Sequence, residues 1–171
     1  MKLEEQFLEL RNRIIDPQLT SAEAVKAFYT DWMTLVWNWK APTFLFDFYA
    51  PKLHQWRENG NDRYDIREIV KEVAMLEAAF PDITVRVEDI VVSGNEEDGW
   101  QLFARRYFNG TSLGPSPFGT TGTGKKLEGD TCLSLDMMRL EKVNGRWQVV
   151  NENVMYSERT FRTTMGGPFD K

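Results

Sequence analysis

The sequence of 171 residues is poor in the side chains that most often build metal and redox centres, since it has one cysteine and one histidine. The single cysteine, Cys132, excludes an internal disulfide and a cysteine-based zinc site, and the single histidine, His54, excludes a multi-histidine metal centre. Positive charge is also in the minority, with 21 lysines and arginines against 26 acidic residues. Because nucleic-acid binders carry a basic surface, we do not expect nucleic acid as a partner. Because cysteine and histidine are so few, we do not expect a metal ion either.

Long apolar runs are missing as well. No stretch approaches the roughly 18 consecutive apolar residues that a membrane-spanning helix needs, and residues 1–6 are polar and acidic, unlike the apolar run of a signal peptide. The sequence therefore predicts a cytoplasmic protein without a membrane partner. In contrast, hydrophobic residues make up 42% of the chain, which is enough for a packed core and excludes intrinsic disorder as its main state.

Hydrophobic spacing divides the chain into a helical first half and a stranded second half. Apolar residues recur at helical spacing over 3–15, 20–36 and 65–76, and Thr20 with Glu23 has the spacing of a capping box at the start of the second helix. A third helix or turn is predicted over residues 44–49. The predicted strands cover residues 52–56, 83–88, 100–108, 131–142 and 146–156. Helices followed by a run of antiparallel strands predict an α+β fold.

The organisation that follows from this pattern is one domain with short additions. Residues 1–20 are predicted to form an N-terminal helical extension, residues 21–160 the domain, and residues 161–171 a flexible tail. Residues 109–124 are rich in glycine, serine, threonine and proline and predict a long loop. Loops of that length are commonly lids or disordered segments, and the sequence leaves both interpretations open.

The last predicted hairpin decides which side chains share a face. A two-residue turn at 144–145 places Asp136 opposite Asn153, whereas a three-residue loop over 143–145 places Asp136 opposite Glu152. In the second register both carboxylates share a face with apolar residues, namely Met138, Leu140, Val150 and Val154. Two carboxylates on an apolar face are costly to ionise together, so one is expected to have a raised pKa, as general acids and bases do. Spacing alone leaves both registers open.

Two segments resemble a known family. The first runs from Ala79-Phe80-Pro81-Asp82-Ile83 through Val87-Glu88-Asp89, and the second is Leu135-Asp136-Met137-Met138-Arg139-Leu140 followed by Asn144-Gly145-Arg146. They resemble SnoaL-like polyketide cyclases, and the second is also similar to ketosteroid isomerases; both groups belong to the nuclear transport factor two-like superfamily. The resemblance spans residues 22–160. It implies an α+β cone of helices against a curved antiparallel sheet around an apolar pocket, usually in a homodimer.

The resemblance also implies roles for individual residues. Glu152 falls where the SnoaL-type aldol cyclases place their catalytic Asp, and Asp136 falls where ketosteroid isomerases keep a protonated Asp in the oxyanion hole. Tyr29 looks like the oxyanion-hole Tyr of the isomerases. The base of the isomerases falls at a position near Arg57, and this sequence has no carboxylate at that matching position. His54 is a secondary candidate, because an imidazole beside a carboxylate can move a proton at neutral pH.

The predicted function is proton transfer at the carbon next to a carbonyl group, of the cyclase, isomerase or dehydratase type. The expected substrates are small hydrophobic molecules, with polycyclic molecules among them. Glu152, Asp136, Tyr29 and His54 are the predicted catalytic residues, and no cofactor is expected. The predicted substrate-binding residues are Trp56, Phe103, Met138, Val150 and Val154. The alternative is a non-catalytic ligand-binding or dimerisation module. A carboxylate bound to Arg105, Arg106 or Arg139 would favour that alternative, since a buried salt bridge removes the acid–base pair.

Overall fold

The computed structural model describes residues 2–57, 60–129 and 132–168. Helices dominate the first half of the chain and strands the second, which confirms the predicted α+β class. The helices are α1 (Leu3–Ile15), α2 (Ala22–Met33), α3 (Leu45–Phe48), α4 (Ile66–Ala79) and α5 (Glu158–Thr164). The strands are β1 (Tyr49–Arg57), β2 (Arg63–Asp65), β3 (Thr84–Asn95), β4 (Gly99–Thr111), β5 (Lys126–Leu127), β6 (Leu133–Val143) and β7 (Arg146–Tyr156).

The N-cap of helix α2 lies one residue later than predicted. The Ser21 hydroxyl accepts a hydrogen bond from the Ala24 backbone N–H at 3.2 Å, so Ser21 and not Thr20 is the N-cap. The helix continues into a π-helical turn over Thr34–Asn38, and a 3₁₀ turn over Pro42–Phe44 follows. These short turns place aromatic residues of the first half against the sheet.

The strands form one open, curved sheet in the order β2-β1-β7-β6-β4-β3, with β5 paired to β4. All the described pairs are antiparallel except β1 with β7, which run parallel. The helices cover one face of the sheet, called here the inner face, and bury most of the apolar core there. Strand β1 is longer than the predicted 52–56, because its ladder to β7 starts at Tyr49.

The β6–β7 hairpin has a two-residue turn and a β-bulge. Asn144 (φ 52°) and Gly145 (φ 80°) both lie in the left-handed region, as a type I′ turn requires. From this turn the ladder runs to the pair Leu140–Val149, but the next pair is Arg139–Asn151. Val150 is therefore the extra residue of a bulge, which shifts the register by one.

The bulge brings both carboxylates to the inner face. Asp136 pairs with Val154, and Met138 pairs with Glu152. All four side chains are buried. The predicted shared face is therefore present, and the two-residue alternative has the correct turn, with Val143 opposite Arg146. Neither alternative has the correct partner of Asp136, because neither placed a bulge at Val150 inside the strand.

Residues 109–124 are joined to the rest of the domain by backbone hydrogen bonds. Strand β4 extends to Thr111, and beyond it the backbone N–H groups of Leu113 and Gly114 both donate to the Ala79 carbonyl at 3.1 Å. A Cβ on Gly114 would lie 1.7 Å from the Ala78 carbonyl oxygen, so only glycine fits this close approach. The sequence missed this packing because backbone contacts leave no apolar signature.

The flexible tail predicted from residue 161 is wrong for the part that the structure describes. Residues 158–164 form α5, and Phe161 is only 2% exposed. Its ring packs edge-on against Phe80 at 5.9 Å and Phe108 at 5.3 Å between centroids. Residues 169–171 and the predicted strand residue Thr131 lie outside the described ranges.

Candidate active site

Two fully buried carboxylates lie on the inner face, and a tyrosine hydroxyl donates to each of them. Tyr29 on α2 donates to Asp136 Oδ2 at 2.7 Å. Tyr49, the first residue of β1, donates to Glu152 Oε2 at the same distance. Asp136 is 0% exposed and Glu152 is 2% exposed, so their charges are withdrawn from bulk water.

Asp136 forms a bidentate ion pair with Arg106 on β4. Arg106 Nη2 lies 2.8 Å from Oδ1, and Nη1 lies 2.7 Å from Oδ2. Burial raises the pKa of Asp136, and this is opposed by Arg106 and by the hydrogen bond from Tyr29. An arginine does not give up its proton in proteins, so we assign the ionised form to Asp136. The predicted neutral Asp136, which would donate a proton to an oxyanion, therefore does not fit the structure.

Glu152 has neutral hydrogen-bond partners instead of a cation. Besides Tyr49, the side-chain amide of Gln55 donates to the same oxygen, Oε2. Burial and the charge of Asp136 raise the pKa of Glu152 to about 7, although both hydrogen bonds favour its charged form. The described hydrogen bonds to Glu152 both fall on Oε2, which leaves Oε1 as the oxygen that can take up a proton. At neutral pH this carboxyl group exists in both protonation states.

A chain of polar contacts leads from Glu152 towards the surface. The Gln55 side-chain oxygen accepts from Arg57 Nε at 2.8 Å. Arg57 binds both oxygens of Glu72 at 3.2 and 3.0 Å, and Tyr156 donates to Glu72 Oε1 at 3.0 Å. Gln55 is held from both sides, so its amide can orient the carboxylate of Glu152.

Two cavities meet at this chain of contacts. The inner chamber, of about 60 Å³, lies beside Glu152 and Arg106 between the helices and the sheet. The vestibule, of about 540 Å³, lies outside it and is bounded by Phe118 and Arg162. Both cavities are lined by Arg57, Glu72, Leu76, Val154 and Tyr156. These five residues therefore form a common wall of the two cavities, and residues 117–118 of the long loop form part of the wall of the vestibule.

His54 lies on the other face of the sheet from the carboxylates, so its predicted place in the pocket is wrong. Its Nε2 lies 2.9 Å from Asp62 Oδ2, and its ring stacks between Trp56 and Tyr64 at 3.9 and 4.6 Å. Trp56 does share a face with His54, as the alternation predicted. The inner face of β1 instead carries Gln55, which is 2% exposed.

The predicted substrate-binding residues are divided between the two faces. Val154 lines both the inner chamber and the vestibule. Met138 is buried on the inner face without lining either cavity, and Val150 is the half-buried bulge residue. Phe103 and Trp56 line a groove of about 690 Å³ on the opposite, outer face of the sheet, and there the prediction is wrong.

Tyr49, Gln55 and Arg106 also belong to the site, although none of them was a predicted site residue. For Arg106 a signal exists, because it continues the inward alternation of Leu102 and Ala104 along β4. For Gln55 and Tyr49 the alternation of β1 gives no guide, since polar and apolar residues occur on both faces of that strand.

Within residues 2–57, 60–129 and 132–168, no group of three or more His, Cys, Asp and Glu side chains is arranged to hold a metal ion. In the same ranges, the helices are all too short or too polar to cross a bilayer.

The chain is similar to several solved bacterial structures. One is wild-type IdmH, a putative polyketide cyclase from Streptomyces antibioticus, at 22% identity and a TM-score of 0.58 over 78% of this chain and 93% of that one. A second is TsrD from Streptomyces laurentii, at 16% identity and a TM-score of 0.64 over 86% and 98%. A third is AclR, a putative hydroxylase from Streptomyces galilaeus, at 19% identity and a TM-score of 0.61 over 81% and 79%. At these identities the likeness shows the fold.

A search of curated proteins finds no match. The sequence pattern of the SnoaL-like polyketide cyclases, in contrast, matches residues 27–158, which is most of the chain and contains both buried carboxylates. The protein therefore belongs to the SnoaL-like polyketide cyclase family.

Proposed function

We propose that the protein is a cofactor-independent enzyme that moves a proton on the carbon next to a carbonyl group, with Glu152 as the general base. The observation that carries this proposal is the Glu152 carboxyl group, which is buried beside a cavity, has a pKa of about 7 and is oriented by Tyr49 and Gln55. A base is most effective when its pKa lies near the working pH. Cyclisation, isomerisation and dehydration all proceed through the enolate that such a base produces.

The Asp136–Arg106 pair supports this role from a distance. The fixed negative charge of Asp136 keeps the pKa of Glu152 high, so that Glu152 can return the proton it has taken. Tyr29 completes the shell of Asp136, since its hydroxyl hydrogen is already donated to that carboxylate. Asp136 and Tyr29 are thus positioning residues in this proposal, and Glu152 is the catalytic residue.

The test is the exchange of α-hydrogen for deuterium in 2-heptanone, a simple ketone, followed by NMR in D₂O. The wild-type protein is expected to accelerate the exchange, and Glu152→Gln to reduce the rate by about 10²-fold or more, as expected for loss of a general base. Glu141→Gln is the matched control, because Glu141 lies on β6, is about half exposed and pairs with Arg139. Equal exchange rates for the wild type and Glu152→Gln would exclude Glu152 as the base.

A second candidate function is a ligand-binding or dimerisation module without chemistry. It is favoured by the ion pair of Asp136 with Arg106 and by the small inner chamber. In that case no ketone exchanges hydrogen faster than in buffer. The predicted homodimer and cytoplasmic location remain predictions. The outer face exposes Trp56, Val91, Phe103 and Met137, which makes it the surface on which a second copy would pack.

A further inference from the structure

Trp32 presents a buried hydrogen-bond donor without a partner. The residue is 1% exposed, and its indole Nε1 makes no hydrogen bond within the described parts of the chain. A buried N–H that has lost water without gaining an acceptor is unfavourable and uncommon in native proteins. The indole therefore points to an acceptor that the chain itself does not supply.

The residue that carries this donor belongs to the wall of the inner chamber. Trp32 lines the chamber together with Glu152, and its ring packs edge-on against Tyr49 at 5.5 Å, the residue that donates to Glu152. The cationic and amide donors of the chamber are already used, because Arg106 binds Asp136 and Gln55 binds Glu152. Among the described residues that line the chamber, Trp32 thus carries the buried side-chain donor that has no acceptor.

The size of the chamber limits that occupant. A cavity of roughly 150 Å³ holds benzene, whereas the inner chamber measures about 60 Å³. A carbonyl group with its neighbouring carbon fits this volume, but an aromatic ring does not. The vestibule of about 540 Å³ has room for the remainder of a larger molecule.

We propose that the indole N–H of Trp32 donates to the carbonyl oxygen of a substrate that enters the inner chamber with an open-chain carbonyl end, while its body stays in the vestibule. This rests on the proposed function. The carboxylate of Glu152 removes a proton from the α-carbon, and the electrons of that C–H bond form the enolate, whose oxygen carries the charge. Trp32 stabilises this oxygen, and neutral Glu152 then returns the proton to carbon.

The first test detects the hydrogen bond without turnover. In protein labelled with ¹⁵N at the indoles, the Trp32 signal is assigned by its loss in Trp32→Phe. Titration of Glu152→Gln with 2-heptanone is expected to move the Trp32 indole proton downfield and saturably. The Trp100 signal is expected to stay in place, because its Nε1 already donates to the Leu19 carbonyl at 2.9 Å. A Trp32 signal that does not shift up to the solubility limit of the ketone would overturn the proposal.

The second test separates this inference from the proposed function. Trp32→Phe keeps an aromatic ring and removes the N–H, so we expect kcat for α-hydrogen exchange to fall about 10²-fold, as for loss of one oxyanion donor, with a smaller change in KM. Trp100→Phe removes an N–H away from the chamber and is expected to keep kcat. If Trp32→Phe exchanges hydrogen at the normal rate while Glu152→Gln is inactive, the role of Trp32 is refuted and the proposed function still stands. If Glu152→Gln remains active, the proposed function itself fails.

A preference between ketones checks the size argument. 2-Tetralone carries its carbonyl in a fused ring. We expect the protein to accelerate its exchange, over the rate in buffer, at least 10-fold less than it accelerates the exchange of 2-heptanone. Equal acceleration of both ketones would show that the chamber admits rings and would overturn the head-first arrangement.

Discussion

The two halves of the buried polar core have the same plan and differ in one donor. Asp136 and Glu152 each accept from a tyrosine hydroxyl at 2.7 Å, and each is at most 2% exposed. The second donor is the Arg106 guanidinium for Asp136, but the Gln55 amide for Glu152. A cation stabilises a carboxylate far more strongly than a neutral amide does in a site of low dielectric constant.

This difference gives the two carboxylates different tasks. The half with a cation holds a permanent charge, whereas the half with neutral donors titrates at a pKa of about 7. Two similar carboxylates therefore become one structural charge and one proton carrier through the choice of a single neighbouring side chain.

The largest expected effect comes from removing the charge of the first half. Asp136→Asn leaves Arg106 buried and unpaired, which is expected to reduce the free energy of unfolding by about 3–5 kcal/mol. Urea unfolding at pH 7 measures the change. The double variant Asp136→Asn with Arg106→Met is expected to regain part of the loss, because it removes the unpaired cation.

The exposed pair Lys142–Glu96 is the control for this comparison. Both side chains are about half exposed, so Glu96→Gln is expected to change the unfolding free energy by less than about 1 kcal/mol. If Asp136→Asn costs no more than Glu96→Gln, the buried pair does not hold the charge that we assign to it.

The next effect concerns the second half and depends on pH. Since the fold raises the pKa of Glu152 from 4.5 to about 7, it favours the neutral form. The wild type therefore loses stability as the pH rises from about 4.5 through about 7, by up to about 3 kcal/mol at 1.36 kcal/mol per pKa unit. Glu152→Gln does not titrate and is expected to be more stable than the wild type at pH 8, but not at pH 5. Urea unfolding of both proteins from pH 5 to 8 tests this, and parallel curves would contradict it.

The smallest effect separates the two tyrosines. Tyr49→Phe removes a donor to the charged form of Glu152, so its pKa is expected to rise by about one unit. The midpoint of the pH–rate profile for α-hydrogen exchange then moves from near 7 towards 8. Tyr29→Phe is expected to leave that midpoint in place, because Arg106 keeps Asp136 ionised. Equal shifts for both variants would mean that the two halves are not distinct.

The parts of the fold that follow local rules could be predicted from the sequence. Helix α4 begins at Ile66, one residue after its predicted start at Asp65, whose side chain caps it by accepting from the Arg67 N–H. Strand β7 has its predicted ends. The start of α4 is set by its capping residue, and the start of β7 is set by the Asn144-Gly145 turn. The parallel pairing of β1 with β7 joins segments far apart in the chain, and no local pattern encodes it.

The candidate site was predictable as a pair of residues, but not as a network. Asp136 and Glu152 stand out because carboxylates are rare on an apolar strand face. The predicted position of His54 was wrong, because strand alternation shows which residues share a face but does not show which face is buried. Gln55 faces inward and binds Glu152, and such a contact becomes visible once the two strands are paired.

The bulge at Val150 has a consequence for how this protein should be compared with its relatives. Before the bulge the inward residues of β7 have odd numbers, such as Trp147 and Val149; after it they have even numbers, Glu152 and Val154. An ungapped alignment with a relative whose strand lacks the bulge would match its functional carboxylate to an asparagine that faces outward. Residue equivalence in this strand is therefore set by orientation towards the core and not by position in an alignment column.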